Sequence, residues 1–203
     1  MKISSLNKQI SFSKTLVANC SVLNKNDGPV PCKIYSLNQQ EDSDYFERIP
    51  NASEWENAKY LCYLKADLER FDDFVYKDYS IYALENEEGE CLGYSEISNK
   101  YSGTDEVTFL ETVPPQAYYN RRKSTYKYIG ETLLSFMVKK AQKDSKDFVE
   151  LYPSMASTMF YMKKCFFSPY NDDPDTFYLD KYNFDKLIQN NEHNTNSSIE
   201  LLA

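Results

Sequence analysis

Two stretches of this chain have residue types and spacing that could do chemistry. The first, Tyr126-Lys127-Tyr128-Ile129-Gly130-Glu131-Thr132-Leu133-Leu134, joins a strand-like run to an amphipathic helix behind a basic loop with Arg121, Arg122 and Lys123. A helix beginning near Ile129 leaves the N–H groups of its first turn unpaired and turns its positive dipole end outward. Phosphate is the natural occupant, and the amides of Tyr128, Ile129, Gly130, Glu131 and Thr132 would converge on it. Gly130 removes a Cβ that would hinder close approach. The same residues also fit an ordinary helix start behind a solvated basic loop.

The second stretch is Phe109-Leu110-Glu111-Thr112-Val113. Strand alternation sets Phe109, Glu111 and Val113 on one face and Leu110 and Thr112 on the other. A carboxylate on an otherwise apolar face, if desolvated, holds its proton more tightly, which suits a general base for an ammonium substrate. Paired with Arg or Lys, or wetted by a cleft, it would be a plain strand-end acid. Glu96, in Tyr94-Ser95-Glu96-Ile97, competes for the same role. Histidine chemistry is absent: the single His193 lies in the polar run NNEHNTNSS, which leaves no Ser-His-Asp or Cys-His scheme. Five cysteines, widely spaced and without a CxxC pair or a zinc-ligand cluster, predict buried thiols and no metal site.

The elements that must position these residues follow from periodicity and turn signals. Residues 11–37 read as two strands about Asn26-Asp27-Gly28-Pro29, an N-terminal hairpin. Ser53-Glu54-Trp55-Glu56 caps a helix whose apolar positions Trp55, Ala58, Leu61, Leu64, Leu68 and Phe71 recur at helical spacing. Strands over 79–84 and 92–97 flank a charged Gly89 turn, and 107–113 completes a meander stopped by Pro114-Pro115. Ile129, Leu133, Phe136, Met137 and Ala141 form the stripe of a helix whose end carries Lys139, Lys140 and Lys143. A strand over 148–152, a helix capped by Ser154 or Ser157, and strand-like pieces near 165–168 and 176–179 follow. A strand, helix, strand unit after an antiparallel meander implies a mixed α/β sheet with helices on both faces. The expectation is one domain over 1–190 with the hairpin as an extension, and a disordered tail over 191–203.

Composition bounds the function. A net charge of -8 with 23 basic residues argues against a nucleic-acid clamp, which needs a basic face. Aromatic residues make up 15% of the chain, so core and pockets should be ring-lined. The start MKISSLNKQISFSK lacks the apolar core of a secretion signal, and no run approaches the ~18 apolar residues of a membrane span. A soluble, cytoplasmic protein, monomeric or homodimeric and without a membrane partner, is expected.

The run YSIYALENEEGECLGYSEIS, then VTFLETVPP, YKYIGETLLSFMVKKAQ, FVELYPS and ASTMFYMKKCFF, resembles the GCN5-related N-acetyltransferase (GNAT) superfamily over roughly 79–167. The resemblance implies an antiparallel meander plus a splayed parallel strand pair, with acetyl-coenzyme A as acyl donor and an amine as acceptor. It implies a phosphate loop at Thr125, Tyr126, Lys127, Tyr128, Ile129 and Gly130. Of the family's Arg/Gln-x-x-Gly-x-Gly/Ala pattern only Gly130 remains; Tyr128 replaces the first glycine and Thr125 the basic residue, with Arg122 and Lys127 nearby. Val113 stands where the family supplies a backbone N–H to the thioester oxygen. Tyr161, in Phe160-Tyr161-Met162-Lys163-Lys164-Cys165-Phe166, stands where the family's tyrosine protonates the departing thiolate, with Cys165 or Phe166 at the expected glycine. A GNAT-shaped binding protein without catalysis is the alternative. Acceptor choice would lie in 39–74 and in the Tyr118-Tyr119 loop.

Overall fold

A computed structural model of the chain describes residues 14–37, 42, 45, 79–101, 103–113 and 124–202. The helix expected over 53–71, the Tyr118-Tyr119 loop, Arg122 and both residues of Pro114-Pro115 lie outside the described residues.

Strands β1 (Thr15–Asn24) and β2 (Gly28–Ser36) form the expected hairpin, its turn closed by Gly28 at φ 90°. The hairpin is continuous with the main sheet, because β2 pairs along β3 (Tyr79–Asn86) from Cys32↔Asn86 to Ser36↔Tyr82. The meander continues through β4 (Cys91–Tyr101) and β5 (Thr104–Thr112). Then come β6 (Tyr126–Lys127), α1 (Ile129–Lys143), β7 (Phe148–Leu151), α2 (Thr158–Lys164), β8 (Ser168–Pro169), β9 (Phe177–Asp180), α3 (Lys181–Thr195) and β10 (Glu200–Leu201). The sheet runs β10-β1-β2-β3-β4-β5-β7-β9-β8, with β6 also on β1, and β5–β7 is its parallel pair.

Helix α1 exists because its apolar residues fall on a helical stripe. Leu133, Leu134, Met137, Val138 and Ala141 are fully buried, and Lys140 pairs one turn on with Asp144 at 2.6 Å. Its ring Phe136 meets Tyr82 of β3 edge-on at 4.9 Å. Residues of α1, Tyr161 of α2, and Phe184, Leu187 and Ile188 of α3 share one core with β1 to β4, β5 and β7. All three described helices therefore cover one face of the sheet.

The expected disordered tail is a correction. Helix α3 runs to Thr195, capped by Asp180, whose carboxylate accepts from the Asn183 N–H at 3.0 Å, and β10 then pairs with β1 at Ala18↔Leu201. The buried stripe continues into the polar run as Asn191 and Thr195, each about one hundredth exposed, and Ile199 inserts behind them. Asn191 lies 3.3 Å from the Thr132 hydroxyl of α1, and Thr195 donates to the Asn191 carbonyl at 2.9 Å. Burial by small polar residues that bond one another carries no hydropathy signal, so the run reads as solvated.

Candidate active site

The site is built where β5 and β7 part. They pair from Thr104↔Phe148 to Val107↔Leu151, after which β7 ends and β5 runs on to Thr112 without that neighbour. A wedge opens between two parallel strands, with one side of the β5 backbone facing it. A bulge between Glu96 and Ile97 of β4, opposite Phe109 and Val107, leaves Thr108 as an extra residue just where the strands separate.

The start of α1 closes on this region through Gly93. A Cβ there would lie 2.8 Å from Ile129 Cγ2, 2.9 Å from the Glu111 carbonyl oxygen and 3.1 Å from Leu133 Cδ1. Glycine lets the first turn of α1 sit directly on β4 and beside the end of β5. Because Gly93 pairs with Thr112, both belong to the α1 face, and Glu111 with its partner Tyr94 belongs to the other. Tyr94 Oη donates to Glu111 Oε2 at 3.0 Å. Glu96 is buried on the Glu111 side, and its Oε1 accepts from the Thr108 hydroxyl. The two carboxylates thus share one face: Glu111 half-buried next to the wedge, Glu96 enclosed.

At the helix start, Tyr128 adopts a left-handed conformation, φ 66° and ψ 16°, and its carbonyl accepts the Thr132 N–H at 2.8 Å. A tyrosine thus occupies a left-handed turn at the position where the resemblance implies a glycine. The bond removes Thr132 from the anion-binding set: its amide is used inside the helix, and its buried hydroxyl bonds the Ser21 carbonyl at 3.4 Å and Asn191. The first-turn amides of Ile129, Gly130 and Glu131 have no carbonyl four residues back within the helix. Lys127 is exposed just ahead of them. Gly130 has space around it; a Cβ there would meet the Phe160 ring at 3.6 Å, an ordinary contact.

Val113 as an amide donor to the cleft is a further correction. Its N–H donates to the Leu92 carbonyl at 3.0 Å, across the β4 side of β5. Antiparallel pairing alternates such bonded positions with outward-facing ones, so the neighbouring Thr112 N–H faces the wedge. The direction of an N–H depends on register, which the sequence leaves open.

Helix α2 brings Tyr161 into the α1 core beside Phe160, whose ring stands edge-on to it at 5.0 Å, with Phe167 at 6.0 Å on the other side. Burial, with a smaller contribution from neighbouring Cys165, pushes the Tyr161 phenol well above its ordinary value. The residue in the expected glycine conformation is Phe166, at φ 63°, with the Phe167 N–H reaching back to the Tyr161 carbonyl at 3.1 Å. Cys165, at ordinary φ, is buried inside the helix end.

Tyr94, Thr108 and Gly93 are site residues the sequence reading missed. Gly93, an isolated glycine within a strand pattern, was the available signal of close backbone approach. Among the described residues no group of three His, Cys, Asp or Glu could hold a metal, and no helix is long and apolar enough to cross a membrane. A hollow of about 620 Å³, lined by Lys139, Gln142, Lys143 and 198–201, lies toward the other end of α1 and takes no part in this geometry.

No family sequence profile and no curated protein sequence matches the chain. Solved structures do. A GNAT-family acetyltransferase from Staphylococcus aureus Mu50 superposes with a TM-score of 0.52 at 11% identity, covering 73% of this chain and 98% of that one. AtaTR bound with acetyl-coenzyme A gives 0.54 at 15% identity over 77% and 97%. The KacTA–DNA complex gives 0.51 at 14% over 66% and 86%. The chain has the GNAT fold, with the meander and parted parallel pair the sequence resemblance implied.

Proposed function

We propose that the protein is an acetyl-coenzyme A dependent N-acyltransferase that moves an acetyl group to a primary amine of a small molecule or protein by direct attack. The observation that carries this reading is the meeting of the wedge and the α1 start. Through Gly93, the first-turn amides of α1, at the positive end of the helix, lie beside the end of the strand that bears Glu111. The donor supplies an activated thioester; the chain supplies the rest.

The amides of Ile129, Gly130 and Glu131, with Tyr128 and Lys127, hold the pyrophosphate, and the basic loop with Arg122 adds charge from outside the described residues. The Thr112 N–H donates to the thioester oxygen as negative charge grows there. Glu111, oriented by Tyr94, takes the ammonium proton directly or through water, leaving a neutral nitrogen to attack; Glu96 is the alternative base. As the C–S bond breaks, Tyr161 gives its proton to sulfur. Burial makes the phenol a weaker acid, but a thiolate formed in the same apolar surroundings is a stronger base in the same sense, as the raised Cys165 thiol shows. The acidic net charge favours a cationic acceptor through association rate rather than identity. Buried thiols at Cys20, Cys32, Cys91 and Cys165 suit a reducing cytoplasm.

Glu111→Gln and Tyr161→Phe test the assignment. Each should lower turnover by about a hundredfold or more, the usual range for a lost general acid or base, with acetyl-coenzyme A affinity within about twofold of the parent. Unchanged rates would remove the residue from the mechanism. A parent that binds the cofactor but consumes no thioester on a broad amine panel would favour the non-catalytic alternative, whose support is the tyrosine at position 128.

A further inference from the structure

The α1 start is held by a part of the chain that the cofactor reading does not employ. Just upstream of Tyr128, β6 is laid antiparallel on the end of β1, pairing Leu23↔Lys127 and Asn24↔Tyr126. One residue further, the Lys25 N–H in the hairpin turn donates to the Thr125 carbonyl at 3.0 Å. The Tyr126 hydroxyl accepts from Asn86 Nδ2 at 3.3 Å, and Asn86 is itself fixed by the β3–β4 turn, whose Glu88 and Glu90 N–H groups donate to its Oδ1 at 3.1 and 2.9 Å. Ser124 closes the strap by donating to the Tyr126 carbonyl at 2.6 Å. Downstream, Thr132 ties the first turn of α1 to the Ser21 carbonyl of the same strand.

These bonds bracket the one left-handed residue at the helix start. A side chain in that conformation is strained where glycine would not be, and it persists where its surroundings over-determine it. We propose that the N-terminal hairpin is a positioning device for the cofactor site: its strap on residues 124–127 holds Tyr128 left-handed and thereby aims the amides of Ile129 to Glu131. Tyr126, Asn86 and the Lys25 backbone are then positioning residues, acting through Tyr128. The inference rests on the coenzyme A reading for its purpose, while the holding itself can be measured without any ligand.

The test is a double-mutant cycle in the full chain. Lys25→Pro removes the N–H donated to Thr125 at a turn position whose preceding residue, Asn24, is already in a strand, as a proline requires. Lys25→Ala keeps that N–H and serves as the conservative rescue. Tyr126→Phe cuts the Asn86 bond without touching the backbone and stands in if the proline variant does not fold. Tyr128→Gly removes the strain that the strap holds. The ligand-free readout is hydrogen exchange of the Thr132 amide, which bonds the Tyr128 carbonyl; the second is the dissociation constant for acetyl-coenzyme A.

Cutting the strap should reduce Thr132 protection and acetyl-coenzyme A affinity about three- to tenfold, the worth of a net hydrogen bond, and by less than about twofold in the Tyr128→Gly background. Lys25→Ala should keep parental protection. Equal losses in both backgrounds would mean that the strap adds only general stability, and unchanged Thr132 protection would mean that it does not hold the turn; either overturns the proposal. If the parent fails to bind acetyl-coenzyme A, the cofactor reading falls, and the exchange cycle still decides whether the hairpin holds the turn.

Discussion

Replacing Gly93 by alanine strikes the joint between the cofactor helix and the strand of the proposed base. The added Cβ would lie 2.8 Å from Ile129 Cγ2 and 3.1 Å from Leu133 Cδ1, which are side-chain ends able to move, but also 2.9 Å from the carbonyl oxygen of Glu111, which is backbone. Ordinary contact begins near 3.4 Å, so β5 or β4 must give by about 0.5 Å, the difference between those two distances. Overpacking of this kind costs about 1–3 kcal/mol. In a domain of this size that lowers Tm by roughly 2–12 °C, at 2–4 °C per kcal/mol. The chemical effect should exceed the thermal one, because the same displacement separates the Ile129 to Glu131 amides from Glu111 and Thr112. A misplacement of about 1 Å can cost a hundredfold in rate, so half of that predicts roughly tenfold in kcat. Thermal melts monitored by circular dichroism and steady-state thioester loss provide the two numbers. A variant with parental Tm and parental kcat would refute the claim that α1 and β5 are locked together at this glycine.

The C-terminal segment and the buried phenols give two further predictions. Ending the chain after Asn190 removes Asn191, Thr195, Ile199 and β10, and should lower stability by about 2–5 kcal/mol, the scale of losing one or two buried side chains; a truncated protein that melts with the parent would show the segment to be dispensable. Burial raises the phenols of Tyr45, Tyr82 and Tyr161 above the unfolded value near 10. Their protonated forms favour the folded state, a stability fully present below pH ~10 and lost as pH rises beyond it, since the unfolded chain then releases protons the folded chain keeps. Absorbance at the phenolate band should therefore show a first group of tyrosines titrating with the fold intact and a second appearing together with alkaline unfolding. Titration of all 18 tyrosines in one reversible step on a folded protein would contradict this burial.

What the sequence disclosed depended on whether a residue's type or its register set its role. Helix α1 was legible because Leu133, Met137 and Ala141 must share a face at 3.6 residues per turn. The meander was legible because Gly89 and Gly103 mark its turns, both at positive φ. Alternation groups Glu111 with Phe109 on one strand face, but its bond to Tyr94 required the pairing of β4 with β5. Val113 and Thr132 are residues whose side chains and positions matched a pattern while their amides were already bonded, to Leu92 and to Tyr128. Those partners follow from register and from the residue at which the helix begins, and a shift of one position reverses each answer. Tyr128 and Phe166 show the same limit from the other side: aromatic residues stand in left-handed turns for which a sequence pattern expects glycine. The two-residue β6 is too short to register as a strand at all, yet it ties the hairpin to the helix start.

Calorimetric titration of the full chain with acetyl-coenzyme A tests the central claim most directly. Binding with a dissociation constant in the micromolar range, weakened strongly when the pyrophosphate-bearing nucleotide is removed to leave acetyl-pantetheine, is the predicted result. No heat and no thermal shift at millimolar acetyl-coenzyme A, from a protein whose melt shows it folded, would contradict it.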